Sequence, residues 1–293
     1  MNKTLLSKRL NGNATISLFS DGSRIIEADG ELKLQYPLNI DIRLSKKCDF
    51  GMNPVSGKAI CSFCHESATT DGEDADVFAL VETIKDVPAG TELAVGVNQY
   101  TENIHQFLLI AKERGWIVNA TVNQGLIFRD KDRISKAISE GLINGLGISY
   151  RSGMKDIPVE FKQYENTVVH VIAGIDSFDA VRTLSTLGLK KILILGEKDF
   201  GFNLGKVRLK SESHFWWYRK LHQLFEEFEV VSFDNLALEQ LNVKRFVKEW
   251  ETVYQHEFSF YINAVDKYFS RSSRSPDRQP YMSVEKYFSD FVL

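Results

Sequence analysis

Cysteine is nearly absent from this chain. Of 293 residues only Cys48, Cys61 and Cys64 are cysteines, and they fall within seventeen positions. An odd count fits a reducing compartment, where gathered thiols bind metal or do chemistry more often than they form disulfides. The expected location is therefore cytoplasmic. Long apolar runs are also lacking; none approaches the ~20 residues that a membrane helix needs, so no membrane partner is expected. The first ten residues have neither a long apolar core nor a small-residue cleavage site, so a signal peptide is not expected. Neither sign of charge dominates: 36 basic and 39 acidic residues leave a net charge of −3. General attraction to nucleic acid or anionic membrane is not indicated. Repeats and low-complexity linkers are missing, which favours one domain with appendages.

What is present is an ordinary globular composition, 43% hydrophobic and 26% charged, and enough chain to bury a large core. Residues 14–19, 23–27 and 31–35 alternate as β-strands around the turn signals Ser20-Asp21-Gly22 and Asp29-Gly30. They predict a small antiparallel hairpin or meander. From residue 39 the pattern changes to short apolar strands separated by helices. Strands are expected at 39–44, 91–97, 116–122, 145–150, 167–173 and 190–195. Helices are expected at 73–85, 101–114, 130–140 and 177–187. The helix after the fourth strand is missing or very short. Six such strands imply a parallel sheet covered by helices, coiled by right-handed crossovers into an open or closed barrel. The last third reads as a helix at 211–227 holding Phe215-Trp216-Trp217-Tyr218, a short strand at 229–233, a helix at 236–251 and a strand at 258–262. The aromatic run suggests core or interface packing. The polar stretch 271–278, with Arg271, Arg274 and Arg278, is by default a solvated loop. The expected division is 1–38, 39–205 and 206–293.

The cysteines sit just after the first strand of the series, at the end where such folds place active sites. Three thiolates suit two kinds of centre. A zinc site needs four ligands, and His65 is the available fourth. A [4Fe–4S] cluster can be held by three cysteines if one iron stays open to a ligand. The second fits better. His65 is adjacent to Cys64, and neighbouring residues rarely both reach one tetrahedral ion. Only one short knuckle is present, whereas common zinc modules pair two. A non-catalytic zinc-binding protein is the alternative from another class, and incidental buried cysteines are the bland account.

The segment Ile40-Asp-Ile-Arg-Leu44 … Cys48 … Cys61-Ser-Phe-Cys64-His65-Glu66 resembles the cluster segment of radical S-adenosylmethionine enzymes. Their pattern is Cys-x3-Cys-x2-Cys with an aromatic residue before the last cysteine, and Phe63 occupies that place. Here the first gap is twelve residues, with Gly51, Pro54 and Gly57 in what looks like an inserted loop. An enlarged first gap also occurs in some 7-carboxy-7-deazaguanine synthases, which suggests a nucleotide- or deazapurine-modifying enzyme as a narrower alternative.

The resemblance implies a partial (β/α)6 TIM-like barrel with the N-terminal β element and a C-terminal α+β extension. It implies a [4Fe–4S] cluster on Cys48, Cys61 and Cys64, and S-adenosylmethionine as second cofactor. It also implies reductive cleavage to a 5′-deoxyadenosyl radical that abstracts hydrogen from substrate. The expected partners are a small-molecule or nucleotide-like substrate and an electron donor such as flavodoxin or ferredoxin. Carried over residue by residue, Gly96 matches part of the family's Gly-Gly-Glu-like motif that meets the methionine amino group, and Asn98 offers a carbonyl nearby. Ser149 and Arg151 end strand four, where the family contacts ribose and carboxylate. Ile172 and Gly174 match the adenine motif Gly-x-Ile-x-Gly, with His170 in place of the first glycine. Asn123 and Gln124 would face the barrel mouth. Lys198, after strand six, could bind an anionic substrate, and His65 and Glu66 could support the cluster from behind.

Overall fold

Gly12-Asn13 suits a two-residue hairpin turn with glycine first, and it joins the first strand to the second. In the computed structural model β1 (Leu5–Asn11), β2 (Ala14–Phe19) and β3 (Arg24–Ala28) form a three-stranded antiparallel sheet. The structure describes residues 4–20, 22–51, 55–151, 156–209, 211–250 and 258–292. Asp21 of the expected turn, Pro54 of the loop after Cys48 and Glu251 of the expected 236–251 helix lie outside these. The meander is present, but its strands differ from expectation. β1 replaces the strand expected at 31–35. That stretch runs irregularly, with its amides satisfied by side chains: Asn13 Oδ1 accepts from Lys33 N, and Asn11 Oδ1 from Gln35 N and Tyr36 N.

The six strands of the alternating series all form: β4 (Asn39–Arg43), β5 (Glu92–Val97), β6 (Ile117–Asn123), β7 (Gly145–Ser149), β8 (Thr167–Ile172) and β9 (Lys191–Leu195). They pair in chain order, each parallel to the next. Two more strands extend the run. β10 (Val230–Phe233) lies parallel to β9, and β11 (Ser259–Asn263) lies parallel to β4. Antiparallel β12 (Tyr268–Ser270) and β13 (Gln279–Pro280) complete a ten-stranded sheet whose edges are β10 and β13. The architecture is mixed α/β around a large, mostly parallel sheet.

Successive strand residues face opposite sides, and the two sides differ in chemistry. Ile40, Ile42, Leu93, Val95, Val118, Ala120, Val169, Val171, Ile192 and Ile194 are buried. They pack into the core with α1 (Val77–Thr83), α2 (Glu102–Glu113), α3 (Gln124–Arg129), α4 (Lys131–Ser139), α5 (Val159–Gln163) and α6 (Phe178–Thr186). The alternate positions, including Asp41, Arg43, Asn119, Thr121, Ser149 and His170, are polar and less buried. Parallel pairing brings the C-terminal ends of eight strands to one edge of the molecule.

Helix boundaries follow capping. Asp76, Thr101 and Ser177 each accept the backbone N–H three residues on, which fills a donor the helix leaves open. The first helix is shorter than the expected 73–85 because Asp74 pairs with Ser45 in an antiparallel bridge. The expected 211–227 helix is split into α7 (Glu212–Lys220), a 3-10 turn Leu221–Gln223 and α8 (Leu224–Glu227). Where 236–251 was expected, α9 spans only Asn235–Gln240, and Asn242 turns left-handed at φ 48° before the 3-10 turn Val243–Phe246. Of the aromatic run, only Trp217 enters the core, donating to Asp176 O at 2.7 Å; Phe215 and Trp216 are exposed. No helix among the described residues is long and apolar enough to cross a membrane.

Candidate functional site

The cysteines lie in the connection between β4 and α1. Its two ends are stitched together: Lys46 N donates to Glu73 O at 2.7 Å, Thr69 N to Lys46 O at 3.0 Å and Cys48 N to Thr69 O at 2.8 Å. The twelve-residue gap is closed at its neck. Gly51 N donates to Cys48 O, and Ile60 N donates to Gly51 O at 3.2 Å. Cys61 therefore follows a residue that is bonded to Gly51, three positions after Cys48. Gly51 is required there, because a Cβ would stand 2.1 Å from Ala68 O. Asp49, next to Cys48, accepts from Gln99 Nε2 after β5 and from Arg129 Nη1 at the end of α3. Cys64 is tied to the far side of the sheet, since Phe202 N donates to its carbonyl at 2.9 Å.

All three thiols are reduced and partly buried. Burial pushes the Cys48 thiol up, and so do the nearby charges of Cys64 and Cys61; a backbone N–H at Phe50 and the Arg129 cation oppose this. Burial likewise raises Cys61, Cys64 adds to the effect, and Arg151 counters it. The thiols thus share one electrostatic neighbourhood, in which three bare thiolates would repel one another. A positively charged iron or metal centre would relieve that repulsion. Thiolates are the right kind of donor for such a centre, but the three side chains do not converge on one point. Among the described residues, no three His, Cys, Asp or Glu side chains are grouped so as to hold a single metal ion.

His65, the fourth ligand of the zinc alternative, is engaged elsewhere. Its Nε2 lies 3.1 Å from Glu66 Oε1 and 3.3 Å from Lys198 Nζ, and its ring stands edge-on to Phe200. Burial, with Lys198 nearby, lowers its pKa and favours the neutral ring. Burial opposes the Glu66 charge, yet the His65 hydrogen bond and the charges of His65, Arg43 and Lys198 hold the carboxyl at about 2. Arg43, ending β4, reaches Glu66 Oε2 through Nε at 2.6 Å.

The other expected residues lie along the same edge, with two changes of role. Arg151 stacks over the Phe63 ring at 4.5 Å and pairs with Asp176 Oδ2 at 3.4 Å. It is therefore fixed against the cysteine loop, and its remaining donors are what a carboxylate could use. Ser149 stands beside His170 in register, and Ile172 beside Leu195. Gly96 lies on the open side of β5 with no atom near its missing Cβ, and Asn98 follows two residues later. Gly174 lies in the turn after β8, between Ala173 and Asp176, which form an isolated bridge. Asn123 does not face the mouth freely. Its side chain caps α3, accepting from Leu126 N at 2.8 Å, and Gln124 is buried.

Sequence reasoning missed Asp176, buried and accepting from Ile172 N at 2.6 Å, and Asp49. Asp49 directly follows a candidate ligand, which was a usable signal. Asp176 carried none, because its partners are twenty-five or more residues away in sequence or belong to a turn. A cleft of about 1090 Å³ opens beside this edge. Asp41 of β4 and Ser259 of β11 line it, and so do Lys198 after β9 and Asp234 after β10. No family model matches this chain, and no curated protein matches it.

Proposed function

We propose that the chain is a radical S-adenosylmethionine enzyme that holds one [4Fe–4S] cluster on Cys48, Cys61 and Cys64. The observation that supports this reading is the neck at Gly51 and Ile60, where a backbone bond ties the residue before Cys61 to the turn that begins at Cys48. When bound, such a cluster supplies the electron that splits the sulfonium of S-adenosylmethionine. The protein's share is to hold and shield the reacting groups. Gly96 and Asn98 would receive the methionine end. Arg151 and Ser149 would bind carboxylate and hydroxyl, and Ile172 and Gly174 would accept the adenine. The Arg43–Glu66–His65 chain behind the thiols would keep Cys64 oriented.

The finer architecture belongs to the same proposal: β4 to β9 curve into a partial (β/α)6 barrel. Five steps at about 4.8 Å would separate β4 from β9 by roughly 24 Å in a flat sheet. Asp41 and Lys198 nonetheless line one cleft, and Lys198 touches His65 of the loop after β4. Curvature of the sheet accounts for both.

The test is anaerobic reconstitution of the full chain. About four irons per chain are expected, with formation of 5′-deoxyadenosine under dithionite. Serine at position 48, 61 or 64 should abolish both. A colourless protein holding stoichiometric zinc would overturn the proposal.

A further inference from the structure

Arg271 and Arg274, in a stretch whose default is a solvated loop, instead line the cleft beside Lys198. Lys198 Nζ lies 3.3 Å from Ser273 Oγ and 3.3 Å from His65 Nε2, whose ring stands between it and Glu66. Among the described residues no carboxylate forms an ion pair with Lys198, Arg271 or Arg274. Arg271 is anchored, donating through Nε to Phe291 O, and so sets the position of the loop. Of the cleft's acids, Asp234 is occupied as a cap, accepting from Gly196 N and Ala237 N. Three cations line one cleft, and a bound anion would offset their mutual repulsion. An arginine and hydroxyl groups also supply the directed donors that an oxyanion needs.

We propose that this end of the cleft is an oxyanion subsite, in which Lys198, Arg274 and Ser273 take the phosphate or carboxylate of a small molecule. It rests on the enzymatic reading only in treating that molecule as the substrate; His65 links the subsite to the loop that carries Cys64. The volume suits a small molecule. A nucleic-acid backbone is disfavoured, because Glu31, Asp41 and Glu239 rim the same cleft and would repel a polyanion.

The experiment is calorimetric titration of the full chain with inorganic phosphate and with succinate at low ionic strength, with sodium chloride as control. One anion per chain is expected to bind, and the tighter of the two names the group. Lys198→Gln and Arg274→Gln should each weaken it at least about tenfold. Arg278→Gln should change nothing, since Arg278 lies over the Tyr268 ring and does not line the cleft. Should Lys198→Gln fail to fold, the exposed Arg274 carries the test. Failure of both anions to bind above chloride, or equal weakening by Arg278→Gln, overturns the subsite. Binding is measured on protein with and without iron. Phosphate binding in a chain that never assembles a cluster would therefore reject the enzymatic reading alone.

Discussion

The imidazole of His170 lies on the polar side of the sheet, across Gly147 from Thr121. A Cβ at position 147 would stand 2.7 Å from both His170 Cε1 and Thr121 Oγ1, so the glycine makes room for the ring. Burial, with Arg151 nearby, pushes the His170 pKa down to about 4. In the unfolded chain the ring would titrate near its ordinary value. Between the two values the unfolded state takes up a proton that the folded state refuses. Stability is therefore full above the ordinary histidine pKa and falls as the pH drops towards 4. Below that both states are protonated and the loss is complete. The residue as a whole is half-buried, so the expected loss is about 1–3 kcal/mol. Urea unfolding at pH 7.5 and pH 4.5 should show His170→Gln losing less stability than the parent chain. Equal losses would show that the ring is already charged in the fold.

Among its described residues the connection between β4 and α1 forms no helix or strand around the cysteines, so its shape depends on ties to its neighbours. Asp49 is the main one, joining Cys48 to α3 through Arg129 and to the end of β5 through Gln99. Arg129→Gln removes a cation without touching a thiol. It should leave the circular dichroism spectrum unchanged, while iron from the reconstituted protein passes to a chelator about tenfold faster. Unaltered release would mean that the backbone bond from Cys48 to Thr69 is sufficient by itself. The same dependence on distant partners explains why helix ends were read less well than strands. No proline or glycine marks the break at Leu221–Gln223. By contrast Thr101, Ser177 and Ser211 announce their helices locally, by capping.

At the scale of the molecule, the C-terminal third is part of the main sheet. β11 pairs with β4 over its whole length, from Ser259 with Asn39 to Asn263 with Arg43. Phe260, buried at 1% exposure, contacts Phe269 and Tyr287 with ring centroids 5.5 and 5.0 Å apart. Phe260→Ala should cost about 3–5 kcal/mol in denaturant unfolding. Truncation before residue 258 should yield insoluble protein, because β4 would become an unpaired edge beside a bared apolar core. A soluble, cooperatively melting truncation would show that the rest of the parallel sheet stands alone.

By itself the sequence determined the alternation of strands and helices from residue 39, their parallel order and the gathering of all thiols at the end of β4. Those features are written in local patterns: apolar periodicity, caps, and residues close in the chain. Tertiary structure decided the rest. The insertion after Cys48 closes on itself through a backbone bond, Arg151 is claimed by Phe63 and Asp176, and the basic loop reaches Lys198. Each joins groups remote in sequence, or depends on backbone geometry that no composition records. The missed strand β1 is the exception, for the turn pair Gly12-Asn13 was there to be read.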